Sequence, residues 1–161
     1  MQPRLDAYKA GPAALHAMSA LDGYIRKSSR LEPSLLELVK MRASQINGCA
    51  YCLDMHSKDA RAHGESEQRL YTLPAWRETP FFTDRERAAL AWTEAVTLIS
   101  QGHAPDEVYE GARQCFSEEE IIDLTLAIVA INGWNRVAIG FRMVPGEYRP
   151  APRAKAEGAH Q

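Results

Sequence analysis

Apolar residues recur along this chain at the three- and four-residue spacing of helices, and the two-residue alternation of strands is scarce. Leu15, Met18, Leu21 and Ile25 follow Pro12, which suits a first helical turn, and predict a first helix. Pro33 opens a second, whose apolar positions Leu35, Leu36, Val39 and Ile46 lead to the turn pair Asn47-Gly48. A third is expected from about Cys49 to near Gly64, because Arg61 and His63 suit a last turn and glycine suits the cap beyond it. A short helical piece over residues 67–73 should stop at Pro74, with an ordered loop over 75–82. Two capping boxes, Thr83-Asp-Arg-Glu86 and Ser117-Glu-Glu-Glu120, open helices reaching about Ser100 and Arg142, with a shorter helix over 105–116 between them. Residues 121–131 are apolar on almost every side, so this stretch is either the central helix or part of a subunit interface. The expected architecture is therefore all-α: a single domain over residues 1–146 and a mobile tail over 147–161.

Composition narrows the function. A chain of 161 residues with 45% hydrophobic content suits one domain that buries roughly 68–70% of its unfolded surface. The formal net charge is -2 and there is no basic block, so no nucleic-acid partner is expected. The first residues lack the apolar core of a secretion signal, and no uninterrupted apolar run approaches the ~20 residues of a membrane span, so the chain reads as soluble and cytoplasmic. Three cysteines are too few for a disulfide framework, and in a reducing compartment a Cys-x-x-Cys pair reads as catalytic or metal-binding. Cys115 has no partner nearby in sequence and reads as packing.

The chemistry concentrates in Glu37, Cys49, Cys52 and His56. Cysteines three apart at a helix start have Cα atoms about 5 Å apart, within the ~4.4–6.8 Å of a disulfide, and unsatisfied N–H groups there favour thiolate. His56, one turn beyond Cys52 on the same face, is placed to take a thiol proton, whereas His63 reads as a helix-end residue. Glu37, among Leu35, Leu36, Leu38 and Val39, is expected either to have a raised pKa suited to proton relay or to be a solvated partner of Lys40 or Arg42. Tyr51 is a candidate substrate-binding residue, as a hydrogen-bond donor to a bound oxygen or as an aromatic lid.

A glutamate, eleven residues, Cys-x-x-Cys, three residues and a histidine form a pattern that resembles the alkylhydroperoxidase D-like (AhpD-like) branch of the carboxymuconolactone decarboxylase superfamily. Residues 44–48, 83–90 and 132–136 are also similar to that family, and the resemblance covers most of residues 12–145. It implies an all-α fold assembled as homotrimers or homohexamers. It also implies reduction of hydroperoxides, with Cys52 as the peroxidatic thiol, Cys49 as the resolving thiol, and His56 and Glu37 as a proton relay. No cofactor is implied, and the electrons would come from an external dithiol such as a lipoylated protein. The best-known peroxidases of the family place histidine immediately before the second cysteine. Tyr51 stands there in this chain, a phenol that cannot accept a proton at neutral pH, so weaker peroxidase activity or a different oxidant is expected.

Two other classes use the same residues. Zinc could be held by Cys49, Cys52 and His56 with Glu37 or His63 as fourth ligand, although a second Cys/His pair is missing. A redox sensor would form the same disulfide without turning over substrate. Trp76, Phe81 and Phe82 are candidate lining residues of an entrance, with loop packing the better reading.

Overall fold

The computed structural model describes residues 2–150, so the part of the expected tail beyond residue 150 lies outside the described residues. Among the described residues the chain is helical throughout, without strands. In order it forms α1 (Ala7–Ala10), α2 (Pro12–Ser28), α3 (Pro33–Asn47), α4 (Ala50–Ala62), α5 (Glu67–Thr72), a 3₁₀ segment (Leu73–Glu78), α6 (Asp84–Thr97), α7 (Ile99–Gly102), α8 (Asp106–Cys115) and α9 (Glu118–Phe141).

Local signals set most of these boundaries. Proline occupies the first turn of both α2 and α3. Both capping boxes form, Thr83 with Glu86 and Ser117 with Glu120, satisfying N–H groups that an uncapped first turn would leave without partners. Four details differ from the sequence reading. Asp6 caps the unforeseen α1 through the Lys9 amide. The segment expected as a loop at 75–82 begins as the 3₁₀ helix, because Trp76 turns inward and donates from Nε1 to Glu94 at 2.9 Å. The helix from Thr83 breaks at Leu98 before α7 resumes. The start of the expected tail, up to Tyr148, is strapped to α4: Gly146 donates to Asp54, Lys58 donates to the Gly146 and Tyr148 carbonyls, and Tyr148 donates to Asp59 at 2.7 Å.

Helix α9 is the central element, packed against α2, α3, α4, α6 and α8. Ile121, Leu124, Ala127, Ile128, Ala130 and Ile131 are buried, whereas Ile122 and Val129 are 61% and 49% exposed. By length and composition α9 would also suit a membrane span. Its buried Asp123 and Asn135, both hydrogen-bonded within the fold, mark it instead as a core helix. The largest core cluster joins α2, α3, α6, α8 and α9, and Cys115 is half-buried against it. Trp76 and Phe82 fill a second cluster with Leu38, Leu73 and Leu90, so packing is their role.

Candidate active site

The site lies where α3 turns into α4. Gly48 adopts φ +67, a left-handed conformation that glycine takes without steric cost, and Cys49 donates its amide to the Ser44 carbonyl at 3.0 Å. This reversal lays the face of α3 carrying Glu37, Lys40 and Ser44 against the face of α4 carrying Cys52 and His56. Cys49 is the N-terminal flanking residue of α4, whose first turn has no side-chain cap. The dithiol thus sits at a helix N-terminus, as the spacing predicted, and both cysteines are free thiols only 1% exposed.

Glu37, Lys40 and His56 are buried together, 8%, 5% and 6% exposed. Glu37 Oε1 accepts from Lys40 Nζ at 2.9 Å, and Glu37 Oε2 lies 2.9 Å from His56 Nδ1. Burial pushes the Glu37 carboxyl upward, but the His56 hydrogen bond and the Lys40 charge outweigh it and hold it at about 2. The expectation of a raised pKa is therefore corrected. Glu37 is held ionised at neutral pH as the partner of Lys40 and His56. A permanent carboxylate at Nδ1 makes that nitrogen the donor and leaves Nε2 as the acceptor, so Glu37 orients His56.

The two thiols are tuned in opposite directions. A hydrogen bond from Cys52 lowers Cys49 to about 7, burial opposes this, and the Cys52 and Tyr51 amides and Asn135 assist. Cys52 is pushed up by its bond to Cys49, by burial and by the negative charge on Cys49. Ionisation of one sulfur is thus favoured and ionisation of the second opposed, because two adjacent buried thiolates repel. Asn135 on α9 favours negative charge on either sulfur and donates to Ser44 at 3.0 Å, while Asn47 donates to Asn132 and Asn135 at 2.9 Å each. Sequence reading had given Lys40 only as a possible partner of Glu37, a pair that forms but is buried rather than solvated, and had assigned no role to Asn135 or Ser44. The available signal for Asn135 was a pair of asparagines, 132 and 135, one helical turn apart in an apolar helix.

Each sulfur borders its own cavity. Cys52, His56 and Lys40 line one of about 160 Å³, walled by Met55, Ile131 and Trp134 and opening past Tyr8, Ser19 and Asp22. Cys49 borders another of about 400 Å³, flanked by Arg4 and Arg142. Tyr51, Ala138 and Met143 border both. Burial raises the Tyr51 phenol, so at neutral pH it is protonated and can donate to a bound oxygen.

Among the described residues the metal-ligating side chains brought together are Glu37, His56 and Asp59, with donor atoms within 4.8 Å of one another. Neither cysteine belongs to this group, and exposed His63 bonds to the Asp59 carbonyl at the end of α4. The zinc set expected from Cys49, Cys52 and His56 is thus not assembled. A dication at Glu37 would also meet the Lys40 ammonium.

Comparison with known proteins bears on the family and the fold. Residues 12–95 match the model of the carboxymuconolactone decarboxylase family. The uncharacterized protein YdfG of Bacillus subtilis (strain 168) is 44% identical over 139 residues, 86% of this chain and 94% of its own length. A solved structure from Agrobacterium tumefaciens, of a protein of unknown function proposed to be the antioxidant defence protein AhpD, is 47% identical. It superposes with a TM-score of 0.88 over 91% of this chain and all of its own. An uncharacterized peroxidase-related protein from Silicibacter sp. TM1040 is 26% identical, with a TM-score of 0.77 over 88% of this chain and 74% of its own. Sequence pattern, all-helical architecture and these likenesses together place the chain in the carboxymuconolactone decarboxylase family, in its AhpD-like branch.

Proposed function

We propose that the protein is a thiol peroxidase that reduces hydroperoxides through Cys52 and Cys49 and is regenerated by an external dithiol. A fold alone does not fix a reaction. The observation that carries this reading is that Cys52 and His56 line one cavity, and that Glu37 at Nδ1 leaves Nε2 of that histidine free to take a proton.

In the first step the Cys52 proton moves to His56 Nε2, and the sulfur lone pair attacks one peroxide oxygen. The S–O bond forms, the O–O bond breaks, and the leaving oxygen takes the proton held on His56. Sulfur is oxidised by two electrons to a sulfenic acid, and the hydroperoxide is reduced to an alcohol. Cys49 then attacks the sulfenic sulfur, the S–O bond breaks, the departing hydroxide takes the Cys49 proton or one from solvent and leaves as water, and the Cys49–Cys52 disulfide results. The lowered pKa of Cys49 suits this step, since the thiolate is the attacking form. Two thiols of a donor, a lipoylated protein or another dithiol carrier, restore the pair by exchange. Tyr51 donates to the bound peroxide.

The exposed Ile122 and Val129 on α9 support assembly as a homotrimer or homohexamer, and the free dithiol suits a reducing compartment such as the cytoplasm. The test is consumption of tert-butyl hydroperoxide with dithiothreitol as electron donor. The wild type should turn over many times per chain and Cys52→Ser should not. Equal consumption by both proteins would overturn the proposal. A sensor that oxidises once, without turnover, would appear as a single equivalent consumed.

A further inference from the structure

Lys40 has no part in the steps above, yet it is a buried cation in the cavity where they would occur. Orienting His56 requires only Glu37, and burying an ammonium is costly even when it is paired. Among the described residues Lys40 Nζ has one partner, Glu37 Oε1 at 2.9 Å, so two of its three N–H groups remain for the cavity. It is also the one residue with a fixed positive charge among those lining that cavity. Asp22 at the rim is already paired, with Arg26 at 3.6 Å.

Resting on the peroxidase reading, we infer that Lys40 is a catalytic donor that binds the oxygen leaving the peroxide. When the Cys52 sulfur attacks, the O–O bonding pair departs with the leaving oxygen, which becomes anionic until the His56 proton reaches it. A preorganised donor at such an oxygen lowers the barrier, since it acts where charge develops. Lys40 keeps its proton throughout, and atoms and electrons balance as written for the first step. Glu37 serves both neighbours, holding the His56 ring through Oε2 and anchoring the ammonium through Oε1.

The test uses two oxidants that differ in how much help the leaving oxygen needs. Hydrogen peroxide expels hydroxide, whose conjugate acid has a pKa of about 15.7, whereas peracetic acid expels acetate, with an ordinary carboxylic acid pKa of about 4. Disulfide formation is followed in wild type, Lys40→Met, and Lys40→Met/Glu37→Gln, the last removing both charges so that no carboxylate is left unpaired. Alkylation by iodoacetamide, which expels no oxygen, reports thiolate supply alone. In both variants the hydrogen peroxide rate, relative to alkylation, should fall by about 10²-fold or more, and the peracetic acid rate by less than about 5-fold. An unchanged ratio between the two oxidants, in variants that fold by circular dichroism, would overturn the assignment. A wild type that forms no disulfide with either oxidant would overturn the peroxidase reading itself, and this assignment with it.

Discussion

Cys49 and Cys52 are equally buried and stand one helical turn apart, yet their surroundings have opposite effects. Cys49 meets backbone amides at the start of α4, which stabilise negative charge. Cys52 borders a cavity with His56 and Lys40 and is held as a thiol by its neighbour. Negative charge is favoured at Cys49, while Cys52 shares its cavity with a proton acceptor, His56. Burial and spacing do not distinguish them. What distinguishes them is the amides beside Cys49 and the cavity with His56 and Lys40 that Cys52 borders.

Removing one sulfur at a time breaks that asymmetry most severely. Cys52→Ser should reduce peroxide turnover to background, at least about 10⁴-fold, as expected when a covalent nucleophile is lost. Peroxide turnover in Cys52→Ser within tenfold of wild type would show that Cys49 attacks directly. Next in size is His56→Gln, which keeps a polar side chain but removes the base. Its rate of disulfide formation with tert-butyl hydroperoxide should fall by about 10²–10⁴-fold, and a fall of less than threefold would leave Cys49 as the acceptor of the Cys52 proton.

Glu37→Gln tests the orientation of His56 together with stability. Turnover should fall by about 10–100-fold, the usual cost of losing a histidine's orienting partner, and the unpaired Lys40 should cost about 3–5 kcal/mol in denaturant unfolding. The sign of the pH effect follows from Glu37 lying near 2 when folded, below its value of 4.5 when free. Its stabilisation is complete above about pH 4.5 and is lost as pH falls toward 2. Glu37→Gln should lack that part of the acid sensitivity in urea titrations. A smaller effect separates the sulfurs by charge alone. In a Cys115→Ser background, thiolate absorbance should rise by one equivalent with a midpoint near pH 7, and the second equivalent should follow at clearly higher pH. In Cys49→Ser, Cys52 should titrate below its wild-type position because the neighbouring charge is gone.

The smallest catalytic effect is expected at Glu94, a partly buried carboxylate held low. It accepts from Trp76, Arg77 and Arg42 and borders neither sulfur's cavity. Glu94→Gln should cost about 1–3 kcal/mol of stability with turnover within twofold of wild type. A large loss of activity would mean that strain at the α3–α6 contact reaches the dithiol.

The helices were legible because proline, capping boxes and apolar spacing act locally, as at Pro33, Thr83 and Ser117. The Trp76 segment was not, since its inward turn is set by Glu94, eighteen residues away. The four site residues were legible from spacing in one helical hairpin. The state of Glu37 was not, because its apolar sequence neighbours suggested a raised pKa while the α3–α4 packing supplied His56 and Lys40. Asn135 escaped notice because its contacts with Ser44 and the sulfurs span more than eighty residues of chain.

The central claim is that Cys52 is oxidised first and Cys49 resolves it. Intact-mass spectrometry on the reduced protein, Cys49→Ser and Cys52→Ser, after brief exposure to tert-butyl hydroperoxide, tests it directly. The account predicts loss of two hydrogens in the wild type, a gain of one oxygen in Cys49→Ser that dimedone traps at Cys52, and no change in Cys52→Ser. A sulfenic acid trapped at Cys49 in Cys52→Ser, with Cys49→Ser left unmodified, would contradict it.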